Sequence, residues 1–72
     1  MFIPANQRYI IKIGELVAAR KKIGLSQTNF AKLCGWSPQY QWQLENCKKV
    51  SINENTKSVI ERALNENTNN NR

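Results

Sequence analysis

Gln39, Gln43 and Asn46 place three side-chain amides in one short stretch, QYQWQLEN. A carboxamide carries a donor and an acceptor side by side, the pair that matches the N6 and N7 edge of adenine in the major groove. If this stretch is helical, Gln39 and Gln43 are four apart and share a face. Such groups recognise; they do not catalyse. The chain has no histidine, and its two cysteines, Cys34 and Cys47, are isolated from each other and from any clustered carboxylates. It therefore lacks the base needed to activate a nucleophile and the ligand set needed for zinc. The expectation is a binding protein, not an enzyme, with no metal and no cofactor. Cys34 stands where a helix takes a small apolar residue and reads as a buried free thiol.

The flanking residues supply the elements that would position those amides. Ser26 can cap a helix over 27–34, its hydroxyl accepting from a free amide of the first turn. Gly35 offers the left-handed conformation that ends such a helix. Ser37 then caps a second helix, Pro38 to Asn46, with the proline at the first helical position, where a missing N–H costs nothing. Two helices separated by a turn this short describe a helix-turn-helix over residues 26–46.

Charge supports a polyanionic partner. The net charge of +6 lies entirely in residues 1–49, where eight Lys/Arg face Glu15 and Glu45. Residues 50–72 carry three basic and three acidic groups and cancel. Concentrating positive charge beside the motif is what phosphate neutralisation requires. No apolar run approaches the roughly 18 residues of a membrane span, and no leader pattern opens the chain. A cytoplasmic protein, nucleoid-associated when bound, with no membrane partner is expected.

The remaining sequence predicts an all-α fold, a small bundle of four or five helices in one domain. Residues 1–5, with Pro4, read as an extended arm. Asn6 caps a helix to about Ile23, with Ile10, Ile13, Leu16 and Val17 on one face. Ser51 and Glu54 have capping-box spacing, opening a last helix striped by Ile52, Thr56, Val59, Ile60, Ala63 and Leu64. Thus the domain spans residues 6–64, and the asparagine-rich residues 65–72 read as a disordered polar tail.

From Ile13 to Leu64 the chain resembles the lambda repressor and Cro type of helix-turn-helix domain, also described as xenobiotic-response-element-like. The matching residues are Ile13-Gly14, Val17, Arg20, Gly24-Leu25-Ser26-Gln27, Ala31, Gly35, Ser37, Leu44-Glu45-Asn46 and Lys48. This resemblance implies a recognition helix, Pro38–Asn46, that reads base edges through Pro38, Gln39 and Gln43. It implies backbone contacts from Gln27, Ser37, Asn46, Lys48 and Lys49, and a structural ion pair between Arg20 and Glu45. Proline has no side-chain hydrogen bond, so Pro38 offers at most apolar contact, for instance with a thymine methyl.

Two positions depart from the family pattern. Gln41 falls where the family buries valine or isoleucine, and an unpaired buried amide is expensive. Either its stem packs while its head reaches water, or the helix rotates and Tyr40 fills the space. Trp42 lies on the side that can face DNA, so Tyr40 and Trp42 are second-tier contacts; Trp36 reads as core. The expected function is a sequence-specific regulator of double-stranded DNA, a repressor on a near-palindromic operator, dimeric at least when bound. The alternative is a partner-binding protein such as an antitoxin, gripping a toxin, with DNA binding secondary. Direct contact with polymerase is a further option for so small a domain.

Overall fold

The computed structural model describes the backbone of residues 1–70 and the side chains through Glu66. Its elements are β1 (Phe2–Ala5), β2 (Arg8–Ile11), α1 (Ile13–Lys22), α2 (Gln27–Cys34), α3 (Pro38–Asn46), β3 (Ser51–Ile52) and α4 (Glu54–Asn70). The fold is mixed, with a three-stranded antiparallel sheet in the order β1-β2-β3 beside the helices. The all-α expectation is therefore corrected.

The correction concerns residues 2–11, expected as an arm and the first turns of a helix. They form a hairpin instead, with Phe2 opposite Ile11 and Ala5 opposite Arg8. Asn6 does not cap a helix; Asn6 and Gln7 have φ of 49° and 67° and make the two-residue loop. Positive φ at both central positions is the type I′ geometry, whose twist suits antiparallel strands and which asparagine tolerates well. Tyr9-Ile10-Ile11 is an aromatic and β-branched run that packs well in a sheet. Helical spacing from Ile10 to Val17 was a coincidence across the β2–α1 junction, and it left out Ile11, which is buried at 3 % exposure.

β3 continues the sheet after the motif: Tyr9 pairs with Ile52 and Ile10 with Ser51. The Arg8 guanidinium donates to the Ser51 hydroxyl at 2.8 Å and to its carbonyl at 2.9 Å. Ser51 is thereby committed to the strand and does not cap α4. Asn53 does, its Oδ1 accepting from the Thr56 amide at 2.8 Å. α4 runs through Asn70, past the boundary expected at Leu64. Residues 71–72, the end of the expected tail, lie outside the described residues.

Pro4 falls in β1, the outer strand of the sheet. A proline there removes a donor that would otherwise invite another strand. The core gathers Ile11 and Ile52 from the sheet, Leu16, Phe30 and Leu44 from α1, α2 and α3, and Ile60 and Ala63 from α4. Lys57 pins α4 to the hairpin, its ammonium 4.9 Å from the Tyr9 ring centre and 5.7 Å from that of Phe2.

Phe30 is fully buried at the meeting point of these layers, whereas Ile3 is 43 % exposed. Phe30→Ala should cost about 3–5 kcal/mol and Ile3→Ala less than about 0.5 kcal/mol in urea denaturation. Equal losses would contradict this placement of the core.

Candidate nucleic-acid interface

The turn between α2 and α3 forms as its residues dictate. The Ser26 hydroxyl accepts from the Asn29 amide at 3.1 Å. Gly35 takes φ of 88°. Trp36 N–H donates to the Ala31 carbonyl at 3.0 Å and Gly35 N–H to Lys32 at 3.2 Å, the Schellman arrangement. The Ser37 hydroxyl then accepts from the Tyr40 amide at 3.1 Å, with Pro38 opening α3.

Gln41 and Leu44 are the buried residues of α3. Gln41 takes neither course expected for it. Its head is fully buried, and both polar atoms are partnered: Oε1 accepts from the Trp36 indole N–H at 2.9 Å, and Nε2 donates to Glu45 Oε2 at 2.7 Å. An indole can only donate and a carboxylate can only accept, so the orientation of this amide is fixed by its partners. The helix need not rotate. Tyr40 instead packs on the core, meeting Trp36 edge-on at 5.2 Å.

Glu45 is the hub of the same network. Its side chain is 3 % exposed and that of Arg20 is 9 % exposed. Arg20 donates from Nε to Oε2 at 2.7 Å and from Nη2 to Oε1 at 2.9 Å, while Nη1 reaches the Leu25 carbonyl at 2.8 Å. Gln27 Nε2 adds a fourth donor at 3.0 Å. Among the described residues no buried side-chain nitrogen or oxygen lacks a partner. Burial pushes the Glu45 carboxyl up, but donors from Arg20, Gln27 and Gln41 and the charge of Arg20 outweigh it. The net pKa lies below the ordinary 4.5.

With that side of α3 turned inward, the opposite side faces solvent. At about 100° per residue, Gln39, Gln43 and Asn46 fall within about 60° of arc, with Trp42 on one flank. All four are exposed. The Asn46 amide folds back to donate to the Trp42 carbonyl at 2.9 Å. Pro38, Lys48 and Lys49 are exposed at the two ends of the helix, and Ser37 is exposed with its hydroxyl engaged as the cap. Gln27 is half-buried, its amide turned to Glu45. Tyr40 stands apart from this face.

Sequence reasoning missed the Trp36–Gln41 bond. Its only signal was the coincidence of a polar residue at a core position with an indole five residues earlier. Residues 16–53 hold Arg20, Lys21, Lys22, Lys32, Lys48 and Lys49 against Glu45 alone. Since Arg20 neutralises Glu45 internally, five exposed lysines remain uncompensated within this stretch of sequence. Cys34 packs against the core, and burial pushes its thiol up to about 11. Among the described residues no group of His, Cys, Asp or Glu is placed to hold a metal ion, and no helix is long and apolar enough to cross a membrane.

No family model, no curated protein and no solved structure matches the chain, so the site stands on its own geometry.

Because the folded Glu45 has a lowered pKa, its contribution is complete above the unfolded value and is lost as pH falls through the folded one. Stability should therefore drop as pH falls below 4.5. Glu45→Gln should cost about 3–5 kcal/mol at neutral pH by stranding Arg20, and should flatten part of the acid limb. Glu61→Gln, which removes an exposed pair with Lys57, should cost less than about 1 kcal/mol. Urea midpoints across pH check both, and a Glu45→Gln protein as stable as the parent would refute the hub.

Proposed function

We propose that this chain is a sequence-reading regulator of double-stranded DNA, of the helix-turn-helix kind, that inserts α3 into the major groove. The observation that carries this reading is the two-sided character of α3. Gln41 and Glu45 lock its inner side into the domain, and Gln39 and Gln43 stand free on the outer side. A rigid helix presenting carboxamides without a partner among the described residues is suited to bidentate bonds with adenine, each worth about 1–3 kcal/mol of discrimination. Lys48 and Lys49, just beyond the helix, suit phosphates on one side of the groove. Lys32, exposed in the last turn of α2, adds to the attraction.

Gln27 has a narrower role in this reading than a phosphate ligand alone. One of its amide hydrogens is given to Glu45, so it braces α2 against α3 and has one hydrogen left for a phosphate oxygen. One α3 spans only a few base pairs, so two copies related by a two-fold axis would read a near-palindromic site. Repression follows from occupying that site. The cytoplasm, where bacterial or phage DNA is accessible, is the compartment this reading requires.

Selection of bound duplexes from a random pool tests the proposal. The expected result is an enriched motif with inverted half-sites about one helical turn apart. Gln43→Ala should relax preference at one position per half-site and weaken binding to the selected duplex by about 1–3 kcal/mol. Binding without any enriched motif, abolished by moderate salt, would overturn it.

A further inference from the structure

Among the described residues Trp42 is the most exposed large apolar side chain, at 55 %, and it stands on α3 beside the glutamines. Its backbone carbonyl accepts from Asn46, but no hydrogen bond or ring contact holds the indole itself among the described residues. Trp36 makes the contrast: half-buried, its N–H spent on Gln41 and its ring on Tyr40. An indole more than half exposed, with no hydrogen bond or ring partner among the described residues, is not fixed in place as Trp36 is. Its position is set by the same buried network, because fixing Gln41 inward turns Trp42 to the flank of the outer face.

In a major groove the indole would meet few apolar partners. Stacking on a base is blocked while the duplex is intact. The edges of guanine, cytosine and adenine offer polar atoms and bare ring C–H groups, and thymine alone adds a methyl group. Trp42 lies three residues from Gln39 and one from Gln43, so it rises about 4.5 Å along the helix from the first. That is little more than one base-pair step of about 3.4 Å. Glutamine pairs with adenine, and the complement of each adenine so bound is a thymine, whose methyl lies in the same groove.

We propose that Trp42 is a specificity residue that reads thymine methyl groups next to the adenines bound by Gln39 and Gln43, so that the half-site is a short run of A·T pairs. This inference rests on the DNA-reading proposal and deepens it from DNA to A·T steps. The positive surface of residues 16–53 supplies the attraction that brings the groove to the helix. The indole supplies the discrimination that charge cannot.

The test uses the best duplex from the selection, with each thymine replaced singly by deoxyuridine, which lacks only the methyl. For the parent protein, binding should weaken about fourfold at one or two thymines beside a selected adenine, the worth of one buried methyl. Trp42→Ala should bind more weakly overall and be indifferent to the same replacements, and Trp42→Phe should keep most of the sensitivity. At this exposure neither substitution should shift the thermal midpoint appreciably, which circular dichroism checks. Replacement that is neutral for the parent at every thymine would overturn the inference. So would an undiminished uracil effect in Trp42→Ala. Either result would leave the DNA-reading proposal standing, whereas a pool with no enriched motif would overturn both.

Discussion

Four donors converge on one buried carboxylate, and the arrangement of the helices depends on that convergence. Glu45 accepts from Arg20 on α1, from Gln27 on α2 and from Gln41 on its own helix. Gln41 passes the link on to Trp36 in the turn. An apolar contact of the same size would hold α3 to the domain but tolerate rotation and sliding. Hydrogen bonds to a carboxylate do not. Replacing a buried ion pair by well-packed apolar groups is often neutral or favourable for stability, so stability alone does not account for it. Its distinctive consequence is direction: α3 has one rotational setting, which leaves Gln39, Gln43 and Trp42 outside.

The sheet and α4 complete a domain too small to depend on its helix-turn-helix alone. Chains of this size bury limited apolar surface, and each added layer matters. β3 follows α3 after a short bend and returns the chain to the hairpin, where Arg8 fastens it through Ser51. Ile52, opposite Tyr9, then joins the same core cluster as Ile11. α3 is thus held at both ends, by the Ser37 cap before it and by strand pairing after it.

Local chemistry was legible in the sequence. Ser26, Gly35 and Ser37-Pro38 fix their conformations through neighbours no more than five residues away, and the helices they bound span the residues expected. The hairpin was not legible, because Ile10, Ile13, Leu16 and Val17 match a helical stripe even though a chain reversal precedes them. The two-residue loop gave a weak cue: Asn-Gln lacks the glycine that usually announces a type I′ turn. β3 is a two-residue strand with no periodicity to detect, and Ser51 mimicked a capping box while its partner lay 43 residues away at Arg8. Gln41 was recognised as anomalous for the right reason, the cost of a buried amide. Its solution required knowing that Trp36 and Glu45 would both point at it, which is a fact of three dimensions.

Hydrogen exchange of the side-chain N–H groups, followed by nuclear magnetic resonance, tests the buried network most directly. The account expects the Trp36 indole and the Gln41 carboxamide to be protected, with the Gln41 resonances displaced from those of the other glutamines. The Trp42 indole and the Gln39 and Gln43 amides should exchange at the rates of free side chains. Indoles that exchange alike, with Gln41 indistinguishable from its solvated neighbours, would contradict the network and, with it, the fixed setting of α3.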